Sequence, residues 1–292
     1  MQAVLILAHK NAEQVYKLAD YLSKKFYVYI HFDAKYNIPQ NFLELFNNSE
    51  KVFLIERMNV NWGGYSIVSA TQMLFRDVLK NDFIDYVHVI SGQDWPVVDV
   101  DMIYDFFDKN AKIYMNYQEA YNIRKSFEKI IWWQKFYFDY DNSFVSRKSL
   151  LGKVYHRIRI LLQMIVGVDK FKKLNIALQI YSGSQWVSMP RYAIQYCVDF
   201  IEQNPNYEEM FKRGFCSDEF WMQTILCNSQ YKSNIVNNNF RYINWTKKYG
   251  NYPGILDEDD YKNIKIGTYF FARKIDLSIS EKLLKKLNLW VR

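Results

Sequence analysis

The chain has 292 residues, of which half are hydrophobic and 24% charged, with a net charge of +7 at neutral pH. That balance excludes an intrinsically disordered chain and allows a sizeable core, enough for one large α/β domain or two small ones. Three cysteines, Cys197, Cys216 and Cys227, exclude a disulfide framework or a cysteine-rich metal cluster, and no apolar run approaches the ~20 residues that a spanning helix needs.

Ala3–Ala8 reads as a buried-type strand that opens into His9-Lys10-Asn11. Met1–Ala8 runs directly into this strand with no basic, apolar leader, so no signal peptide is expected and a reducing cytoplasm is the simplest compartment. Ala12–Lys25 has helical spacing, with Val15, Leu18, Ala19 and Leu22 on one face. Phe26–Phe32 is a second strand, ending at Asp33, and Val52–Ile55 a third. Asn61-Trp62-Gly63-Gly64 is a tight turn, after which Ser66 is placed to cap a helix over Ile67–Leu79. Tyr86–Ile90 is a short β-branched strand. Ser91-Gly92-Gln93-Asp94 breaks it, and Pro96 forbids its continuation. This order predicts an open, largely parallel sheet, which holds its ligand outside the carboxyl ends of its strands.

Further along, Asp101–Lys109 reads as a helix, Lys112–Asn116 as a strand and Phe127–Tyr140 as an aromatic-dense stretch. Ile180–Met189 reads as one strand kinked at Gly183, where the missing side chain admits a ligand or another backbone. Tyr192–Gln203 is a helix, and Ser217-Asp218-Glu219 opens another that runs to Leu226. Phe240–Trp245 is a strand, Asp257–Tyr261 caps a short helix, Phe270–Lys274 is the last strand motif, and Glu281–Leu289 is an amphipathic helix. With no repeat, linker or low-complexity tract, a single domain over 1–292 is expected, with a helical insertion at 145–175.

That insertion carries the whole charge imbalance. It holds eight of the 38 basic residues (Arg147, Lys148, Lys153, Arg157, Arg159, Lys170, Lys172 and Lys173) and one of the 31 acidic ones, Asp169, leaving 30 of each elsewhere. Leu151, Val154, Ile158, Leu161 and Ile165 recur at three- and four-residue steps, with Lys153 and Arg157 off that stripe. Two readings follow: a basic amphipathic helix on an anionic membrane surface over 147–173, or a solvated helix packing its stripe on the core. Basic charge beside aromatics is also a single-strand nucleic-acid signature. No RRM, KH or helix-turn-helix pattern accompanies it, so no nucleic-acid partner is expected.

The common chemical devices are missing. There is no GxGxxG, no GxxxxGK[ST], no GxSxG and no HExxH, and the four histidines are scattered. Asp-x-Asp, a pair that holds divalent metals in many nucleotide-sugar enzymes, occurs at Asp99/Asp101, Asp139/Asp141 and Asp257/Asp259. Helix capping explains the first and third equally well. Glu219 stands beside Phe220, Trp221 and Met222, surroundings that raise a carboxylate's pKa and suit a general base; ordinary helix-start chemistry is the alternative. Arg273-Lys274 pairs a fork that fits phosphate oxygens with a point charge.

His9-Lys10, His31-Phe32-Asp33, Trp62-Gly63-Gly64-x-Ser66, Ser91-Gly92-Gln93-Asp94-Trp95-Pro96, Gly183-Ser184-Gln185-Trp186, Ser217-Asp218-Glu219, Arg241-Tyr242-Ile243-Asn244-Trp245 and Phe271-Ala272-Arg273-Lys274 stand in this order. In that order the sequence, over residues 3–276, resembles the core-2/I-branching β-1,6-N-acetylglucosaminyltransferase and peptide O-xylosyltransferase family, glycosyltransferase family 14. The resemblance implies a GT-A fold, a UDP-sugar donor carrying GlcNAc or xylose, an inverting reaction, and neither metal nor other cofactor. It implies Glu219 as catalytic base and His9, Asp33, Trp62, Gly63, Asp94, Arg273 and Lys274 on the donor side. Trp186, Trp245 and Glu119 are the acceptor-side expectations, for a glycan or lipid-linked glycan. Gln185 stands where some xylosyltransferases carry an acid, which favours Glu219 as sole base. The animal enzymes have an anchor and disulfides. Lacking both signals, this chain is expected to be a bacterial-type cytoplasmic member, peripheral on the inner face of the membrane. The alternatives are a metal-dependent GT-A glycosyltransferase of other specificity and a non-catalytic carbohydrate-binding relative.

Overall fold

Strands that are apolar on both faces alternate with helices that are apolar on one, and the chain therefore buries a sheet between helical layers. The computed structural model describes residues 1–125, 127–143, 147 and 149–289; Lys148 of the basic segment lies outside them. The first half contains β1 (Gln2–Ala8), α1 (Ala12–Ser23), β2 (Tyr27–Phe32), α2 (Gln40–Asn47), β3 (Val52–Leu54), α3 (Ser66–Leu79), β4 (Tyr86–Ser91), β5 (Asp94–Pro96) and α4 (Val100–Phe107). The middle contains β6 (Ile113–Tyr114), β7 (Tyr117–Glu119), β8 (Arg124–Lys125), β9 (Glu128–Lys129), α5 (Trp132–Lys135), α6 (Leu150–Ile165) and α7 (Lys170–Lys173). Then come β10 (Tyr181–Gly183), β11 (Ser188–Pro190), α8 (Arg191–Gln203), α9 (Pro205–Lys212), α10 (Trp221–Cys227), β12 (Ile235–Val236), β13 (Arg241–Ile243), α11 (Tyr261–Ile266), β14 (Phe271–Arg273) and α12 (Leu277–Lys286).

Seven strands form the central sheet in the order β12-β6-β11-β4-β1-β2-β3. β1 runs parallel to both β2 and β4, β2 parallel to β3, and β11 antiparallel to β4 and β6. The fold class expected from the sequence, α/β with a central and mostly parallel sheet, is the one observed. Alternate residues of β1 feed two apolar cores, Ala3 and Leu5 on one face and Val4 and Ile6 on the other. Val4, Leu5 and Ile6 each contribute roughly 1.5–3 kcal/mol by leaving water. A smaller sheet, β13-β14-β5, stands beyond β4. Pro96 therefore does not end strand structure altogether. It sits in a strand that pairs on one side only, with β14, where a missing N–H costs nothing.

Several local expectations are corrected. The single strand over 180–189 is two, β10 paired with β7 and β11 in the central sheet. A Cβ on Gly183 would lie 1.8 Å from the Asn116 carbonyl oxygen, so the close approach there is by another backbone. The last helix starts at Leu277, capped by Asp276. Ser66 is the first residue of α3 and not its cap; its hydroxyl accepts from Asn61 N at 2.8 Å and donates to the Asp141 carboxylate.

The largest correction concerns the packing alternative for α6, because its aliphatic stripe does not pack on the core. Gly152, His156 and Ile160 face inward, while Leu151 and Ile165 are 78% and 73% exposed, with Val154, Ile158 and Leu161 also out. Polar partners hold the inner face: His156 Nδ1 lies 2.5 Å from the Tyr140 hydroxyl, and Gln163 Oε1 accepts from Tyr137 N at 2.7 Å.

Candidate active site

Three neighbouring parallel strands, β1, β2 and β4, end at the same edge of the sheet, in register Ala8↔Phe32 and Leu7↔Ser91. His9, Asp33 and the Gly92-Gln93 turn are the residues that follow them. His9 is exposed. Asp33 is buried and has its own cation: Lys35 Nζ lies 3.2 Å from Oδ2, while Oδ1 accepts from Lys35 N and Val60 N at 3.0 and 3.3 Å. Lys35 also donates to Asn61 Oδ1 at 3.0 Å, which ties the acid to the Trp62 turn.

That turn is pinned from both sides. Gly63 adopts φ +80, and a Cβ there would meet the Phe215 ring at 2.6 Å, so glycine is required twice over. Its carbonyl accepts from Cys216 N at 3.0 Å, and Trp62 packs edge-on to Phe215 at 5.8 Å. From the other side the Asp141 carboxylate accepts from Ser66 N at 2.9 Å and the Asp141 carbonyl from Asn61 Nδ2 at 3.0 Å. Asp141 is thus a clamp on the turn, a role that Asp-x-Asp spacing did not announce.

The turn in turn holds the Phe215–Glu219 segment. The expected capped helix start is not formed: Ser217–Glu219 is a 3₁₀ turn ahead of α10, and Ser217 Oγ donates to Phe211 O at 2.7 Å. Asp218 and Glu219 are therefore adjacent carboxyls whose positions capping does not explain. Asp218 is 6% exposed, and its Oδ1 has no hydrogen-bond partner among the described residues. Burial pushes the Asp218 carboxyl far above the usual range, and the charge of Glu219 pushes it further. Burial also raises Glu219, which is half-buried, while Lys125 nearby opposes the rise. Burial therefore disfavours the charged form more strongly at Asp218 than at Glu219, which has Lys125 nearby.

A stability prediction follows. With its pKa raised on folding, Asp218 binds a proton in the native state that the unfolded chain releases near its ordinary value of ~3.9. Stability is lost as pH rises from there through the raised native value. Asp218→Asn should melt higher than wild type, by a margin that widens as pH rises across that window and closes below it. Thermal unfolding at several pH values measures it, and a margin independent of pH would contradict it.

On the other side of the sheet edge, Arg273 is cross-strand neighbour to Asp94, with its Nη1 3.5 Å from Oδ1, and its guanidinium lies 4.2 Å over the Trp186 ring. Asp94 is almost wholly buried and also accepts from Ser91 N. The Arg273 charge is thus turned onto Asp94 and Trp186. Lys274 follows it, between two pinned segments: Ile275 N donates to Gln93 O at 2.8 Å, and Gln14 Nε2 donates to both Gly92 O and Ile275 O, at 2.8 and 3.0 Å. The Lys274 carbonyl accepts from Leu256 N at 2.8 Å, joining it to the loop that presents Trp245. Trp245 is 58% exposed and lies against Tyr252 at 5.7 Å. Gln223 Nε2 donates to Ser184 O at 2.8 Å, linking the Glu219 side to the Trp186 side.

Glu119 is not joined to this group. It is exposed beside Tyr181, at the end of the β7–β10 ladder away from Gly183, with Asn122 as its partner. The three Asp-x-Asp pairs have local work. Asp99 caps α4 and Asp101 pairs with Lys25 at 2.7 Å; Asp139 accepts from Asn142; Asp257 caps the turn at 258–260 and pairs with Lys248 at 2.6 Å. Among the described residues no group of three or more His, Cys, Asp or Glu is arranged to hold a metal ion. Lys125 and Asp141 are the site residues that sequence reading missed. The only local hint of the clamp is Gly64, where a Cβ would lie 2.2 Å from Asp141 Oδ1.

A family model described as Core-2/I-Branching enzyme matches residues 3–265. The chain is 24% identical over 311 residues to "Xylosyltransferase oxt" of Drosophila melanogaster, covering 99% of this chain and 33% of that protein. To "Xylosyltransferase 1" of Homo sapiens it is 23% identical over 311 residues, covering 99% and 30%. The chain thus spans about a third of the length of the curated relatives it matches. A solved structure, core-mannan synthase A from Aspergillus fumigatus in its Mn/GDP form, aligns with a TM-score of 0.37 at 10% identity, over 80% of this chain and 71% of that one. At that score the likeness carries no functional information. The family match runs through every strand of the central sheet and through Glu219, and on that ground the chain belongs to the core-2/I-branching enzyme family.

Proposed function

We propose that the chain is an inverting glycosyltransferase that moves a sugar from a UDP-sugar to a glycan hydroxyl without a divalent metal. The observation that carries this reading is the Asp218–Glu219 pair, adjacent carboxyls buried to different depths just after the Phe215–Cys216 stretch that the Trp62–Gly63 turn holds. Glu219 takes the proton of the acceptor hydroxyl as its oxygen attacks the anomeric carbon from the face opposite UDP, and the bond to the diphosphate oxygen breaks. Charge then grows on the departing diphosphate, and Lys274 offsets it. Arg273 acts one layer below: held on Asp94 and Trp186, it positions the strand that leads to Lys274.

The exposed rings of Trp245 and Tyr252 offer flat apolar faces to a sugar or a base. Metal independence is supported by the employment of the candidate ligands: Asp33 already has Lys35, and each Asp-x-Asp pair serves a cap, a clamp or an ion pair. The relatives' names support xylose among the donor sugars, with GlcNAc as the other choice implied by the family. Incubation with UDP-xylose, UDP-GlcNAc and other UDP-sugars, with hydroxyl acceptors, should release UDP with at least one donor. Carbohydrate binding without UDP release from any donor would replace this reading with that of a non-catalytic relative.

A further inference from the structure

We propose that α6 docks the protein on an anionic lipid surface, lying in the plane of the interface with its outer face inserted. At about 100° per residue, the exposed aliphatics from Leu150 to Val166 cover roughly 160° of the helix, and Gly152, His156 and Ile160 lie opposite them against the protein. A surface helix ordinarily turns its apolar stripe to the core. This one turns it out, which leaves Leu151, Val154, Ile158, Leu161, Leu162 and Ile165 as a contiguous apolar face. Such a face on a protein surface marks a binding surface.

Charge selects the occupant. Lys153 and Arg157 are exposed along one edge of the face, and Lys172 and Lys173 are exposed beyond its C-terminal end. Lys170, by contrast, is withdrawn from the surface, its Nζ donating to Met210 O and Arg213 O at 2.8 Å each. The helix contains no acidic residue, and the one acid of the segment, Asp169, is paired with Lys135 at 3.0 Å. A second copy of the same face would therefore offer these cations no complement. A bilayer with anionic headgroups offers both an apolar interior and negative charge. With 16 residues α6 is about 24 Å long, and among the described residues no helix is long and apolar enough to cross a membrane, so the geometry is that of a helix in the interface.

This docking does not depend on the transfer reaction, and it is tested without it. The full chain should sediment with vesicles of equimolar phosphatidylcholine and phosphatidylglycerol and not with phosphatidylcholine alone. Lys153→Glu/Arg157→Glu should cut vesicle partitioning by more than about tenfold, since each basic residue is worth roughly fivefold near such a surface. Ile158→Ser/Leu161→Ser, at positions already exposed, should cut it comparably with an unchanged melting temperature. Failure of the wild type to sediment with anionic vesicles, or equal sedimentation of wild type and either variant, overturns the proposal. So does a dimer that Ile158→Ser/Leu161→Ser dissolves in the absence of any vesicle binding, which would assign the face to self-association.

Discussion

Glu219→Gln should lower sugar transfer by about 10²–10⁴-fold, the usual contribution of a positioned general base, while folding and UDP-sugar binding persist. The amide keeps the size and hydrogen-bonding reach of the acid and removes only its ability to take a proton. The pH profile supplies an independent readout. A base must be ionised, so kcat/KM falls as pH drops through its pKa. Burial raises Glu219 above the ordinary ~4.3, which moves the acid limb of the profile toward neutrality. Whatever activity remains in Glu219→Gln should have lost that limb. Near-normal turnover in the variant would remove Glu219 from the mechanism.

Lys274→Ala should weaken UDP binding and slow transfer further, by a combined factor on the order of 10², because in the proposed mechanism its charge offsets the leaving group and matters more as charge develops there. Transfer should survive excess EDTA and should not rise with Mn²⁺. Arg273→Ala is the less informative substitution: it strands Asp94, which is almost wholly buried, and uncovers Trp186, so it would damage the sheet edge as well as the chemistry. Loss of turnover in EDTA and recovery with Mn²⁺ would overturn the Lys274 assignment. A metal would then have to displace a partner now in place, such as Lys35 on Asp33 or Lys248 on Asp257.

Most of the central sheet was readable before folding is considered. β1, β2 and β4 are short runs of β-branched and aromatic residues closed by polar breaks, and that information is local. α9 was missed, although Pro205 at its first position is a recognised start signal. Ser217 and Ser66 were misread as caps, because a serine before a helix can serve any nearby acceptor. Here Phe211 O takes the first, and the second is shared by Asn61 and Asp141.

By itself the sequence determined which residues cluster at the carboxyl ends of the strands, since His9, Asp33 and Gly92-Gln93 simply follow strands that parallel pairing brings level. It also determined that the 147–173 segment carries a basic amphipathic helix. Only the tertiary structure decided how these residues are partnered and how deeply they are buried. Periodicity defines an apolar face but not the direction of the core, so α6 could be turned outward without any change of pattern. The burial of Asp218 and Glu219 is non-local too: the Phe215–Cys216 stretch just before them is held by Gly63, far away in sequence. The partner of a buried charge is likewise a non-local choice: Arg273 stands beside Lys274 in sequence, yet strand pairing with β5 turns it onto Asp94 and Trp186.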